Sequence, residues 1–267
     1  MEIAPGTHMG PVELTVSDLA RSIDYWQDEI GMRVLARENG TASLGADTEL
    51  LRLVEEPGAR PADGFTGLYH VAFLVPDRPS LARWLAHAAR DRVALTGLSD
   101  HYVSEAIYLR DPDHHGIEIY ADRPRELWEG QVFERMTTDP LDVDDLLAQA
   151  DGDFGGLPDG TTVGHVHLRV ADVEESVRFY RDVLGFGLMA QLGPSAAFLS
   201  AGGYHHHLGA NVWESRGASQ APAGSATLRG FTVVVPDAAE LERVEARLGG
   251  LSATDPSGNP IFVAAAI

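Results

Sequence analysis

Apolar and polar positions in this chain alternate along short stretches, then switch to helical spacing, and the switch recurs. From His165 to Val170, apolar Val166, Leu168 and Val170 alternate with His165, His167 and Arg169, which predicts a strand with one apolar and one polar face. Val177, Tyr180, Val183 and Leu184 then recur at helical spacing, and Gly185 stands where a helix ends. MGPVELTVSDLARSIDYWQDEIGM, starting at Met9, aligns without a gap on VGHVHLRVADVEESVRFYRDVLGF, starting at Val163. Asp172, or Ser17 in the first copy, can cap the helix. A second pair aligns LYHVAFLVPD from Leu68 with LRGFTVVVPD from Leu228. Such self-similarity marks structural repeats, so the chain reads as four units, two in each half. Short apolar runs, Ala42 to Leu44, Leu50 to Val54, Ala106 to Leu109 and Ala197 to Ser200, supply the further strands. Unit four has only about 17 residues between its VPD and Asp255, where unit two has about 33 before Asp111, so unit four lacks a strand. The halves, 9–122 and 163–267, flank a linker, 123–162, whose PLDVDDLLAQA stretch predicts a short acidic helix.

The alternation also sorts side chains by face. If the apolar members pack on helices, the others line a cavity on the opposite side of the sheet. His165, His167 and Arg169 then face inward, as do His70 and Ala72, Tyr108 and Arg110, and Glu118 and Tyr120. Extended through the His205 to His207 triplet, the same rule sends His207, Gly209, Asn211 and Trp213 to the cavity and His206 outward. Two imidazoles and one carboxylate facing a common space form the facial set that holds a divalent transition metal and leaves positions open. His70, Glu118 and His165 meet that count, whereas the equivalent positions elsewhere, Pro11, Gly230 and Phe262, cannot bind a metal. The three ligands lie in units two and three, so the cavity requires unit two to pair with unit three, and unit one with unit four.

Composition narrows the chemistry. The 267 residues carry 20 Lys and Arg against 40 Asp and Glu, a formal charge of −20 that repels nucleic acid and anionic membranes. There is no Cys, which removes disulfides, thiolate ligands and thiol nucleophiles, so any metal must use His, Asp or Glu. No apolar run approaches the roughly 18 residues that span a bilayer, and the first ten residues lack a signal-like core. The expectation is a cytoplasmic protein with a small-molecule partner, its oligomeric state left open.

Four repeated βαβββ units with inward His and Glu resemble the vicinal oxygen chelate superfamily, an α+β fold of two glyoxalase-like domains. Within it, the run from His101 through IYLRDP (107–112) to Glu118 is similar to the signature of type I extradiol dioxygenases, departing at Ser99 and His114. SEAIYL, GIEIYADRPRELW and AGGYHHHLGANVW extend the resemblance to bacterial two-domain catechol 2,3-dioxygenases over nearly the whole chain. The resemblance implies Fe(II), with Mn(II) as a substitute, held by His70, Glu118 and His165, and an aromatic diol and dioxygen as substrates. It further implies that Tyr108 hydrogen-bonds a substrate hydroxyl with His101 behind it, and that His207 is the cavity acid–base group. Two other activities compete: a glyoxalase-type isomerase or lyase, with His207 as a fourth ligand, and a protein that binds an aromatic compound or drug without chemistry.

Overall fold

A computed structural model describes residues 2–266. Unit one runs β1 (His8–Val16), α1 (Leu19–Asp28), β2 (Arg33–Glu38), β3 (Thr41–Gly45) and β4 (Glu49–Glu55). After the two-residue β5 (Arg60–Pro61), unit two repeats the order as β6 (Gly67–Leu74), α2 (Arg78–Asp91), β7 (Leu95–Asp100), β8 (Ser104–Arg110) and β9 (Gly116–Asp122). The linker holds α3 (Val132–Arg135), β10 (Asp139–Pro140) and α4 (Val143–Leu147), the last within the acidic stretch expected to be helical. Unit three comprises β11 (Thr162–Arg169), α5 (Val173–Arg178), a π-helical turn over Phe179–Leu184, β12 (Gly187–Leu192), β13 (Ala196–Ser200) and β14 (Leu208–Asn211). After β15 (Ser225–Ala226), unit four keeps three strands around its helix: β16 (Leu228–Val235), α6 (Ala238–Leu248), β17 (Ser252–Thr254) and β18 (Pro260–Ala265).

The helices start alike because each unit places an aspartate just ahead of its helix. Asp18, Asp77, Asp172 and Asp237 each accept the backbone N–H three residues on, satisfying one donor that the first turn leaves open. In unit one the cap is therefore Asp18 and not Ser17. The Ser17 N–H and hydroxyl are instead drawn to the Asp113 carboxylate, at 2.9 and 2.6 Å. Gly185 ends the helix of unit three with φ +93°, a left-handed conformation that glycine adopts without a Cβ penalty.

The strands form two large sheets, and each crosses the sequence halves. Units two and three build a nine-stranded sheet, β10-β7-β8-β9-β6-β11-β14-β13-β12, while units one and four build a seven-stranded sheet, β17-β18-β16-β1-β4-β3-β2. The joints are antiparallel ladders between first strands, β6 with β11 and β1 with β16. The apolar members of these strands, such as Val71 and Phe73, Val166 and Leu168, and Val12 and Leu14, are buried in one continuous apolar cluster. Trp26 of α1 meets Phe73 of β6 edge-on, so that core links both sheets. The polar members of β6 and β11 are left for the other face. Among the described residues no helix is long and apolar enough to cross a membrane.

Close approach of backbone and side chain occurs beside His165. A Cβ built on Gly164 would lie 1.8 Å from the Tyr120 hydroxyl and 3.0 Å from Leu74 Cβ. Gly164→Ala is therefore expected to destabilise the fold by about 1–3 kcal/mol through overpacking. Denaturant unfolding measures the loss, and a variant as stable as the parent would show that the contact has room to relax.

Candidate metal centre

His70, Glu118 and His165 come from three adjacent strands, and the register explains why they converge. On β6, Ala72 stands opposite Glu118 of the parallel β9 and opposite His165 of the antiparallel β11. His70 precedes Ala72 by two residues and so shares its face. Ala72 is fully buried and carries only a methyl group, which leaves the three larger side chains free to close over it. His70 Nε2 lies 2.9 Å from Glu118 Oε2, His165 Nε2 lies 3.1 Å from the same oxygen, and the two Nε2 atoms are 3.3 Å apart. Ligand atoms at right angles about an ion roughly 2.1 Å from each are separated by about 3 Å. The triangle fits a divalent cation bound on one face by three protein atoms.

Electrostatics agrees with that geometry. Burial pushes the His165 imidazole down to about 4, so it is neutral, with a lone pair to donate, at ordinary pH. Burial works against ionisation of Glu118, but His165 and His70 outweigh it and hold the carboxyl well below the usual range. The buried Glu118 carboxylate beside the neutral His165 ring carries a negative charge, which a divalent cation compensates. His165 Nδ1 is buried without a hydrogen-bond partner, so its ring is oriented by packing, with Tyr120 at 4.9 Å and His206 at 4.1 Å between centroids.

The three side chains line a cavity of about 700 Å³ that also takes in Tyr69, His101, Tyr108, Arg110, His167, His206 and Trp213. Tyr108 of β8 pairs with Glu118 across the β8–β9 ladder, which sets its ring beside the ligands. His101 Nδ1 donates to the Thr137 carbonyl at 2.6 Å, leaving Nε2 to accept the Tyr108 hydroxyl at 2.6 Å. Burial, followed by the Glu118 charge, pushes the Tyr108 phenol well above its usual range, so it stays protonated. The Tyr108 hydroxyl therefore stands between the His101 ring and the Glu118 carboxylate, at the cavity wall. Among the sequence-predicted residues, His70, Glu118, His165, Tyr108 and His101 are thus brought together.

His207 is not among them. Its ring packs 4.9 Å from Tyr204, its Nδ1 accepts the Ala201 N–H at 3.1 Å, and it does not line the cavity, whereas His206 does. The reason is local. β14 begins only at Leu208, and bends at His205 and His207 break the two-residue period before it. Within β14 the alternation holds, since a Cβ on Gly209 would strike the His167 ring 2.7 Å away. The signal that marks the break is the Gly202-Gly203 pair, with φ of +59° and +68°, which makes the preceding segment a turn. His167, predicted to face inward but given no role, lines the cavity with its Nε2 held 3.0 Å from the Asn211 amide.

A family model described as "Glyoxalase/Bleomycin resistance protein/Dioxygenase superfamily" matches residues 8–119 and 162–254, the repeat-bearing parts of both halves. The chain is 45% identical over 252 residues to the catechol-2,3-dioxygenase of Bacillus subtilis (strain 168), covering 91% of this chain and 87% of that protein. Glyoxalase I from Zea mays superposes with a TM-score of 0.60 at 19% identity, over 97% of this chain and 92% of that one. A solved chain from Bacillus subtilis subsp. subtilis str. 168 superposes at 0.67 with 12% identity, over 99% and 86%. The two superpositions speak for the fold alone.

Burial of neutral imidazoles has a consequence for stability. His207, pushed by burial from 6.5 down to about 3, stays neutral in the folded state while the unfolded chain takes up a proton near its ordinary value. Its contribution to stability is therefore intact above about pH 6.5 and is lost as pH falls from there toward about 3, at about 1.4 kcal/mol per pH unit. Urea unfolding of chelator-treated protein should show His207→Gln with a shallower acid dependence by about one proton. An unchanged slope would mean that the imidazole is not held neutral.

Proposed function

Because the chain belongs to the glyoxalase/bleomycin resistance protein/dioxygenase superfamily, we propose that its cavity opens the ring of a catechol-type aromatic diol with dioxygen, cleaving beside the diol. The observation that carries this reading is the three-atom ligand group at the floor of the cavity, faced by Tyr108 with His101 and by His206. His70, Glu118 and His165 would hold Fe(II), or Mn(II) in its place. The metal supplies the redox chemistry between diol and dioxygen that no side chain of this protein can provide.

The protein's own groups bind, orient and move protons. Tyr108 hydrogen-bonds a substrate hydroxyl, with the His101 ring behind it. Tyr69 and Trp213 offer aromatic surface to the ring; their own rings meet edge-on, with centroids 5.3 Å apart and an interplanar angle of 74°. His206 takes the place expected of His207. Its ring lies over His165 and against Phe198, 5.1 Å between centroids, so a nitrogen reaches the space where a diol proton must leave and a product proton must return. Burial holds His206 well below its usual range, which keeps it neutral before it accepts a proton.

The four-ligand isomerase reading gains no support, because the group of side chains able to share one ion has three members among the described residues. His207, the fourth ligand that reading required, is turned to Tyr204 and Ala201.

Anaerobic reconstitution with Fe(II), followed by oxygen uptake with catechol, tests the proposal. Uptake with a yellow ring-opened product is expected, and metal-free protein turning over at the same rate would reject it. His206→Ala should keep the metal while turnover falls roughly 10²–10⁴-fold, the usual share of a general acid–base group. His207→Ala should lose far less, and the reverse order would restore His207 to the role. Ala72→Leu should bar the metal, measured by titration, since its branched side chain would fill the space over which the ligands close.

A further inference from the structure

The cavity is much larger than an unsubstituted diol. An apolar cavity of about 150 Å³ takes in a benzene ring. The space over His70, Glu118 and His165 measures about 700 Å³, within the range that accommodates ligands of drug size. A lone catechol seated at the ligand group would leave most of it unfilled.

The remaining space has an aromatic wall that starts at the ligands. From His70, the His167 ring lies 4.9 Å away between centroids, and around His167 stand Tyr69, Trp213 and Phe198 at 5.1, 5.5 and 5.6 Å. A substituent on a bound diol meets these rings next. Leu192, at the end of β12, adds aliphatic surface from the outermost strand of the nine-stranded sheet, well removed from the ligand strands. Leu192 and Trp213 are each about half exposed although both are large apolar side chains of the cavity lining. Apolar surface left open in a concave site is surface for a ligand to cover.

Charge at the cavity is already matched. Outside Glu118 and the imidazoles, Arg110 is the one charged side chain among the described lining residues. Its guanidinium lies 3.0 Å from Asp63 and 3.6 Å from Glu214, and Arg169 approaches the same two carboxylates at 3.9 and 3.6 Å. Asp63 is further contacted by the exposed His114 at 2.8 Å. Two guanidiniums are matched by two carboxylates, so neither is free to hold an anionic substituent, and the formal charge of −20 repels one on approach.

We propose that the preferred diol carries a bulky, uncharged apolar substituent, an aryl or branched alkyl group, which lies along the Tyr69, Phe198 and Trp213 rings and covers Leu192. This rests on the cavity binding an aromatic diol and adds which diols it selects. Leu192 is then a specificity-determining residue, in contact with the substituent and not with the reacting ring.

Binding to protein loaded with Zn(II), which has no redox chemistry, reads the preference without turnover. Calorimetry compares catechol, its two monophenyl isomers and protocatechuate, the corresponding carboxylate. A phenyl isomer should bind at least about tenfold tighter than catechol, the gain that burying an apolar ring brings. Protocatechuate should bind more weakly than catechol. Leu192→Ser, at a half-exposed position, should cut the phenyl advantage several-fold and leave catechol affinity unchanged. Asp63→Asn combined with Glu214→Gln should unpair Arg110 and strengthen protocatechuate binding several-fold. Equal affinity for catechol and both phenyl isomers, protocatechuate binding tightest, or a Leu192→Ser effect that is absent or shared by all the diols would overturn this inference and leave the diol reading standing. If none of these diols binds the Zn(II) protein, the diol reading itself fails, and this one with it.

Discussion

The antiparallel ladder between β6 and β11 is the constraint on which the site depends. Among the described residues it is the only joint between units two and three within their sheet, and it sets His165 opposite Ala72 while His70 faces His167. The parallel pairing of β9 on the other side of β6 then puts Glu118 beside the same alanine. A slip of one residue would turn His165 into the apolar core and bring Val166 or Gly164 to the cavity face, since side chains alternate with a period of two. The buried apolar members, Val71 and Phe73 on one strand and Val166 and Leu168 on the other, hold the register because any slip would expose them.

That ladder gathers an unusual density of titratable groups on one face. His70, His165, His167 and His206, with Glu118 and Tyr108, share a single cavity. Burial disfavours charge on the imidazoles of His165, His167 and His206, while the Glu118 carboxyl beside them is held ionised. Neutral nitrogens and one anionic oxygen are what a divalent cation requires. The same burial keeps the Tyr108 phenol protonated, so the ring beside the ligands can take part in hydrogen bonding without competing for the ion.

Much of this was legible in the sequence because it rests on patterns that act within single strands. The repeat identified the four units, and alternation around Val166 and Leu168 sorted His165 and His167 to one face. The pairing of unit two with unit three followed from where the ligands lie, since Pro11, Gly230 and Phe262 cannot coordinate. Phe262 in fact lies so close over Gly230 that a Cβ there would meet its ring at 2.4 Å. Where alternation was carried past a strand's end it misled: His205 to His207 belong to a bent approach, and the cavity side chain is His206. The choice of Ser17 over Asp18 as a cap failed for a related reason, because a carboxylate 96 residues away in sequence claims the serine. Long-range hydrogen bonds of that kind leave no periodic trace.

The central claim is that the β6–β11 ladder gathers ligands from both sequence halves around one ion. Anomalous diffraction at the iron edge, on crystals of protein reconstituted with Fe(II), tests it most directly. A single peak about 2.0–2.2 Å from His70 Nε2, His165 Nε2 and a Glu118 oxygen is the predicted result. A peak held by His70 and Glu118 without His165, or one lying elsewhere in the molecule, would contradict it.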